Sequence, residues 1–195
     1  MRSDGRRVIA GSAGGLRLIA PGAATRPFAD RVKQTLFAVL EPDLPGAAVL
    51  DLFAGSGAGG IEALSRGAAR AVFVDRDAIA VRSIRSNLER TGLADRAEVR
   101  GGDALAYLRS TPAPGPFDVV IVDPPYADTP LLRAALDLLA APHHSLLAPG
   151  ARVVTKHFWR DVLPEQIGLL ASERSRRFGE TALTFYRAGG EGARA

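Results

Sequence analysis

The sequence has 195 residues, which is the length of one domain with a short extension. Apolar residues make up 47% of it, which is too many for a disordered chain. It has no cysteine, which excludes a disulfide scaffold, a thiolate zinc site and a cysteine nucleophile. No apolar run approaches the ~18 residues of a membrane span, and residues 1–7 show no signal-peptide core, so a cytoplasmic protein is expected.

The positive charge is concentrated at the start of the sequence. Residues 1–35 hold seven basic and two acidic side chains, whereas residues 36–195 hold 18 basic and 19 acidic ones. This asymmetry favours a polyanionic partner. The candidate phosphate contacts in this segment are Arg7, Arg26, Arg31 and Lys33, although Arg26, Arg31 and Lys33 fit a solvated helix face equally well.

The predicted elements begin with two short strands, residues 7–10 and 16–19, around a Gly-rich turn. Apolar spacing then predicts a helix over residues 28–40, which Pro42 and Pro45 end. We expect this hairpin and helix to form a basic extension that contacts the polyanionic partner.

From residue 47 onward, strands and helices alternate. Strands are predicted at residues 47–53, 71–74, 97–100, 117–122 and 151–155, helices at 61–66, 78–90, 104–109 and 131–139, and a closing antiparallel pair at 169–172 and 181–186. Apolar strands separated by helices indicate an α/β fold, a mostly parallel, Rossmann-like sheet with helices on both faces. The predicted division is an extension at residues 1–45, a core at 46–188 and a disordered tail at 189–195.

A glycine-rich segment follows the first core strand. Residues 55–60 read Gly-Ser-Gly-Ala-Gly-Gly, so a ligand can approach the backbone and the free N–H groups of the next helix. Asp75 stands 20 residues after Gly55 at the end of the next strand, where a carboxylate can accept both ribose hydroxyls. This pattern fits a nicotinamide dinucleotide or S-adenosylmethionine.

Three features favour S-adenosylmethionine. Asp51, at the end of the first core strand, could accept the positive amino group of a methionine moiety and would repel a pyrophosphate. Asp103 supplies an acceptor for an adenine amino group, and residues 123–126 form a motif that dinucleotide dehydrogenases do not need. The predicted cofactor-binding residues are Asp51, Phe53, Gly55, Ser56, Gly57, Asp75, Arg76, Asp103 and Ala104.

The motif Asp123-Pro124-Pro125-Tyr126 supplies the predicted catalytic residues. An exocyclic amine is a poor nucleophile because its lone pair is delocalised, and two acceptors, the Asp123 carboxylate and the Pro124 carbonyl, can free that lone pair. Proline fixes the backbone and therefore the direction of the carbonyl. Tyr126 offers a flat surface on which a flipped base can stack. The motif implies an amine (adenine N6, cytosine N4, guanine N2 or a glutamine amide) and requires no metal.

The order and spacing of these segments resemble the bacterial 16S rRNA guanine-N2 methyltransferases of the RsmD type. The segments that carry the likeness are Arg7–Gly11, Arg26–Lys33, Thr35–Phe37, Asp51–Gly57, Glu62–Gly67, Asn87, Asp123–Tyr126 and Phe178–Thr181. The resemblance implies the class I methyltransferase fold, with seven strands and the last one antiparallel. It also implies S-adenosylmethionine as the methyl donor and guanine 966 of 16S rRNA, in the 30S subunit, as the acceptor. With RNA as the substrate, the basic extension is expected to dock on it through Arg7, Arg26, Arg31 and Lys33.

This chain departs from the family pattern at three positions. The family usually has Thr where Phe28 stands and Glu where Gln34 stands, and it often has Glu near Lys156. These departures bear on RNA contacts and on the outer edge of the base pocket.

The residues by themselves leave several functions open. A DNA amino-methyltransferase generally has a target-recognition domain, for which the ~45 residues outside the core are too few. An N6-adenine or other amino-methyltransferase, an NAD-dependent oxidoreductase and a catalytically silent RNA-binding protein also fit the pattern. Arg174, Arg176 and Arg177 fit an RNA contact or a solvated turn, and His157, Phe158 and Trp159 wall the base pocket or cap the core. A monomer without metal or membrane attachment is expected.

Overall fold

The alternating strands and helices build a single sheet in the computed structural model, which describes residues 7–22, 30–110, 115–125, 128–141 and 145–189. The helices are α1 (Asp30–Leu40), α2 (Ala58–Ser65), α3 (Ala78–Thr91), α4 (Ala104–Leu108) and α5 (Thr129–Leu139). The strands are β1 (Ala48–Leu52), β2 (Arg70–Asp75), β3 (Ala97–Gly101), β4 (Phe117–Val122), β5 (Leu147–Phe158), β6 (Gln166–Ile167), β7 (Leu170–Phe178) and β8 (Thr181–Ala188). Two short 3-10 turns lie at Glu41–Asp43 and Ala94–Arg96.

The eight strands lie in the order β3-β2-β1-β4-β5-β8-β7-β6. Strands β1 to β5 pair in parallel, and β8 pairs antiparallel with β5, which confirms the predicted mostly parallel sheet with an antiparallel last strand. The eighth strand comes from β6, a two-residue edge strand that pairs with the start of β7. Within the described ranges, no helix is long and apolar enough to cross a membrane.

The N-terminal segment packs into the same apolar layer as the core. Val8, Ala13 and Leu18 are buried in one cluster with Phe37 of α1 and Phe185 of β8. In place of the predicted two-stranded hairpin, the structure has a single β-bridge between residues 7 and 17. The other backbone hydrogen bonds within this segment belong to a short turn. The division at residue 45 and the tail stay predictions, and residues 190–195 lie outside the described part of the chain.

Helix α1 runs in the same direction as α2. Near the start of α1, the Lys33 ammonium lies 3.5 Å from a carboxylate oxygen of Glu62, and just after its end Glu41 lies 3.4 Å from Arg66. Helix α2 starts at the carboxyl ends of the strands, as the helix after a parallel strand does. The amino end of α1, with Arg31 exposed, therefore points toward the same edge of the sheet.

Candidate active site

The carboxyl ends of four parallel strands meet at one edge of the sheet. Leu52 of β1 lies opposite Val74 of β2 on one side and Val122 of β4 on the other. The residues that follow these strands, including Asp75 and Asp123, therefore lie along a common crevice. Ligands bind at this position in open α/β sheets, where the strand order reverses between β1 and β4.

The turn after β1 has a backbone that few residues adopt. Phe53 has a φ of 60°, and Gly55 and Gly57 have φ values of 56° and 77°. A positive φ is ordinary for glycine but is a strained state for a bulky aromatic residue, and such strain clusters at functional sites. Gly57 is the N-cap of α2, so the turn leads directly into the free N–H groups of that helix.

Asp75 fixes the glycine-rich turn from the neighbouring strand. Its Oδ2 accepts a hydrogen bond from the Gly55 N–H at 2.8 Å, and its Oδ1 accepts one from the Asp77 N–H at 2.9 Å. A carboxylate has about four acceptor positions, so both oxygens keep capacity for a ligand. The predicted ribose acceptor therefore also organises the turn that a ligand would approach.

The last glycine of the segment lets α2 pack closely on the sheet. A Cβ on Gly60 would lie 2.3 Å from an atom of the Phe73 ring of β2, which is closer than any real contact. The N–H of Gly60 donates to Asp51 Oδ2 at 2.7 Å. Glycine at this position thus permits both the helix packing and the hydrogen bond to Asp51.

Asp51 is the most deeply buried acid of the crevice. Its side chain is 3% exposed, and burial raises its pKa to about 8. The Gly60 N–H opposes this shift, whereas the charges of Asp123 and Asp75 add to it. A cation bound next to this buried carboxyl group would stabilise its ionised form. The predicted contact with a positively charged amino group agrees with this chemistry.

The remaining predicted cofactor residues lie along the same edge. Asp103 is exposed after β3, and its Oδ1 accepts from the Ala106 N–H at 2.8 Å and so caps α4. Ala104 is buried at the start of α4, and Arg76 is exposed after β2. The carbonyl of Ser56 accepts a hydrogen bond from the Asn87 side chain at 2.9 Å. Their contacts with a cofactor stay predictions.

The Asp-Pro-Pro segment is fixed at both ends. Asp123 directly follows β4, Pro124 is buried and Pro125 is exposed. The carbonyl of Pro125 accepts from the N–H of Asp128, whose side chain caps α5. Tyr126, the predicted stacking residue, lies outside the described residues.

Lys156 is the functional residue that sequence reasoning left without a role. Its Nζ donates to both carboxylate oxygens of Asp123, at 2.8 and 2.9 Å, and both side chains are 18% exposed. Burial raises the pKa of Asp123, and the Lys156 ammonium opposes that rise. The only signal in the sequence was the departure from the family pattern near the end of the fifth strand.

The predicted RNA contacts fall into different environments. Arg7 and Arg31 are exposed, and Arg7 lies 3.6 Å from Asp30 in an ion pair. Arg26 lies outside the described residues.

The prediction for Lys33 is wrong. Its side chain is 1% exposed, it pairs with Glu62, and its ammonium donates to the carbonyl of Arg7. Glu62 also accepts from the N–H groups of Ile9 and Ala10, at 2.7 and 3.0 Å. The pair is thus an internal clamp that holds the N-terminal segment on α2, and Lys33 cannot reach a phosphate.

Asn87 forms a second link between the N-terminal segment and the core. Its Oδ1 accepts from the Ile19 N–H at 2.7 Å, and its Nδ2 donates to the carbonyls of Ile19 and Ser56, both at 2.9 Å. The sequence singled out Asn87 only through the resemblance, since a lone asparagine in a helix does not reveal its partners.

Comparisons with known proteins agree with this arrangement. The family model described as conserved hypothetical protein 95 matches residues 6–187. The chain is 38% identical over 183 residues to the putative rRNA methyltransferase YlbH of Bacillus subtilis, covering 93% of this chain and 98% of that protein. It is 34% identical over 187 residues to the ribosomal RNA small subunit methyltransferase D of Escherichia coli, covering 95% and 91%.

The fold is also similar to a solved structure. The putative methyltransferase yhhF of Escherichia coli superposes with a TM-score of 0.82 at 33% identity, covering 95% of this chain and 98% of that one. The chain therefore belongs to the family described as conserved hypothetical protein 95, which is the family of ribosomal RNA small subunit methyltransferase D.

Proposed function

We propose that this protein transfers a methyl group from S-adenosylmethionine to the N2 amine of guanine 966 of 16S rRNA in the 30S subunit. The observation that carries the proposal is the placement of Asp123 and Pro124 beside a glycine-rich turn that buried and half-buried carboxylates hold in place. The printed names of the relatives, which are rRNA methyltransferases, support it.

The crevice has the residues that S-adenosylmethionine requires. Gly55 and Gly57 have no side chain, so a ligand could approach the backbone of this turn, and Asp51 would hold the methionine amino group. Asp75 would accept from the ribose hydroxyls, and Asp103 from the adenine amine. When bound, S-adenosylmethionine supplies a methyl group on a sulfonium, which is already activated, so the protein's main contribution is alignment.

The Asp-Pro-Pro segment would activate the guanine amine. The Asp123 carboxylate accepts one N–H of the amine and the Pro124 carbonyl accepts the other, which localises the lone pair on nitrogen. As the N–C bond forms, the C–S bond breaks and sulfur keeps its electron pair. The surplus proton on nitrogen then passes to the Asp123 carboxylate. Tyr126 would stack on the base, and no step requires a metal.

RNA docking would fall to the basic N-terminal segment. Arg7 and Arg31 are exposed, and Arg31 lies at the end of α1 that points toward the active-site edge. We propose that Arg26 contributes to the same surface and that the protein acts as a cytoplasmic monomer.

One experiment tests the reaction and its substrate. The protein is incubated with labelled S-adenosylmethionine and unmethylated 30S subunits, naked 16S rRNA or DNA, and the labelled nucleoside is identified. We expect N2-methylguanine in the 30S subunit. N6-methyladenine in DNA would contradict the proposal, and binding of NADH without S-adenosylmethionine in calorimetry would point to an oxidoreductase. Methyl transfer that survives Asp123→Ala would refute the role of Asp123.

A further inference from the structure

We propose that the arginines at the carboxyl ends of β5 and β7, together with Trp159, form a second RNA-contact surface, separate from the N-terminal segment and next to the active-site edge. We call it the arginine–tryptophan surface, and it consists of Trp159, Arg160, Arg174, Arg176 and Arg177. The inference rests on the proposed RNA substrate and adds a binding surface to it.

The strand register places this surface beside the catalytic residues. Strand β8 pairs antiparallel with both β5 and β7, so β5 and β7 point in the same direction. Leu183 of β8 lies opposite Lys156 on one side and Arg176 on the other. With strands spaced by about 4.8 Å, the Cα atoms of Lys156 and Arg176 are about 10 Å apart on one face of the sheet. Arg176 therefore lies on the same face as Lys156, which contacts Asp123, whereas Arg177 pairs with Ala182 and faces the other side of the sheet at the same edge.

The charges of the surface are not neutralised by acids. Among the described residues, no carboxylate lies within ion-pair distance of Arg160, Arg174, Arg176 or Arg177. The nearest acid along β7, Glu173, already pairs with Arg152 and Arg187. All four arginines of the surface are exposed. Asp161 and Glu180 also lie at this end, but the four arginines outnumber them, so the surface keeps a net positive charge that attracts a polyanion.

Trp159 organises the surface. The guanidinium of Arg177 lies 3.5 Å from the centroid of the Trp159 ring, and that of Arg160 lies 5.0 Å from it. The Nε of Arg177 also donates to the Gly179 carbonyl at 2.9 Å. Each cation is attracted by the ring, but the two cations repel each other, so an anion between them is favoured. Arginines next to an aromatic ring suit RNA, which offers both phosphates and bases that stack.

The two RNA surfaces lie at the same edge of the sheet. Arg31 is exposed at the amino end of α1, and Arg176 is exposed at the carboxyl end of β7. Both ends point toward the edge that holds Asp123. A nucleotide presented to Asp123 has neighbours in both directions along its strand, so contacts on two sides would hold it in place.

The first test removes two charges of the surface and compares the loss with a matched control. The variant is Arg176→Gln with Arg177→Gln, and the control is Arg90→Gln with Arg109→Gln. The control arginines are also exposed, but Arg90 lies in the last turn of α3 and Arg109 directly follows α4, toward the opposite edge of the sheet. Binding to unmethylated 30S subunits and to 16S rRNA is measured as a function of salt.

We expect the surface variant to bind several-fold more weakly, with a slope of log K against log salt that is smaller by about 1.4 to 1.8. The control should change less, and both variants should keep the parent affinity for S-adenosylmethionine. Equal losses in the variant and the control would overturn the proposal. If the parent protein itself binds no rRNA, the proposed function fails instead.

The second test uses Trp159 as a reporter, because it is the single tryptophan of the chain. We expect 16S rRNA to protect Trp159 fluorescence from quenching by acrylamide, and S-adenosylmethionine alone to leave the quenching unchanged. Full quenching of Trp159 in a protein that is saturated with 16S rRNA would show that RNA does not cover this surface and would overturn the inference.

Discussion

The ammonium of Lys156 lies 2.8 and 2.9 Å from the two carboxylate oxygens of Asp123, so the proposed catalytic carboxylate is held by a cation from the neighbouring strand. Both side chains are 18% exposed, which makes this pair less screened than a surface ion pair. The lysine opposes the burial that raises the pKa of Asp123. It therefore favours the ionised form of the carboxylate and fixes the direction of its oxygens.

Replacing Lys156 should shift the pH dependence of methyl transfer. In Lys156→Gln the pKa of Asp123 rises because burial is no longer opposed by the ammonium. Asp123 accepts the amine hydrogens only when it is ionised, so the acid limb of the pH–rate profile moves to higher pH. For each pH unit of that movement, the rate below the pKa falls about tenfold. The measurement is kcat as a function of pH.

The conservative variant distinguishes this role from a merely structural one. Lys156→Arg keeps the positive charge and should restore most of the acid limb, whereas a loss of folding would affect both variants alike. An unchanged profile in Lys156→Gln, measured on protein with parental thermal stability, would contradict the role of Lys156.

The spacing of apolar residues predicts most of the fold, but it does not predict where each strand ends. The runs of apolar residues in β1, β2 and β4 mark strands that are buried on both faces, and their predicted bounds agree with the structure to within two residues. β7 was predicted to end at residue 172, but it continues to Phe178. Its polar half is exposed beside β8, so it carries no apolar pattern, and main-chain pairing with β8 holds it in the sheet.

In the candidate site too, only the features that are local in sequence could be predicted. Local patterns revealed the turn at Gly55 and the acids Asp51 and Asp75, because strand ends and glycines are readable from short segments. The partners of Lys33 and Lys156 were not predictable, since each pairs with an acid distant in sequence. The charge asymmetry counted Lys33 as surface charge, although packing of α1 on α2 buries it.

The buried carboxyl of Asp51 should couple cofactor binding to pH. Its pKa of about 8 means that it is largely protonated near neutral pH without a ligand, and a bound ammonium would favour the ionised form. Between about pH 6 and pH 7.5, we expect S-adenosylmethionine to bind more tightly as the pH rises, with release of a proton. Calorimetry in buffers with different ionisation enthalpies measures that proton, and Asp51→Asn should abolish its release and weaken binding at least tenfold.

The same carboxyl should cost folding stability at neutral pH. The folded-state pKa is raised above the ordinary value of 3.8, so the stability that Asp51 confers in acid is lost as the pH rises to about 8. In Asp51→Asn the amide oxygen can still accept from the Gly60 N–H, and this pH-dependent loss disappears. We expect the variant to be at least as stable as the parent at pH 8. Asp95→Asn, at an exposed position, should leave both the proton release and the pH dependence of stability unchanged.

The buried pair of Lys33 and Glu62 should contribute to stability but not to RNA binding. Lys33→Met removes the ammonium and leaves Glu62 with Arg66 as its remaining cation, at 2.9 Å. Because one partner of a buried pair is lost, we expect the free energy of unfolding to fall by about 3 kcal/mol. The salt dependence of 16S rRNA binding should stay at the parent slope. Arg31→Gln serves as the comparison, because it should reduce that slope by about 0.7 to 0.9 and leave stability within about 0.5 kcal/mol.

Asn87 should link the N-terminal segment to cofactor binding. Asn87→Ala removes three hydrogen bonds at a fully buried position and leaves the N–H and carbonyl of Ile19 without these partners. Each buried group left unsatisfied costs about 1–3 kcal/mol, so the variant should be less stable by about 2–4 kcal/mol. The Ser56 carbonyl also loses its partner, which frees the turn that approaches the cofactor. We therefore expect the Kd for S-adenosylmethionine to rise several-fold, measured at a temperature where the variant is folded.

The control is Ser83→Ala, which is buried on the same helix and should leave that Kd unchanged. An unchanged Kd in Asn87→Ala would show that the turn at Ser56 does not depend on Asn87 for cofactor binding.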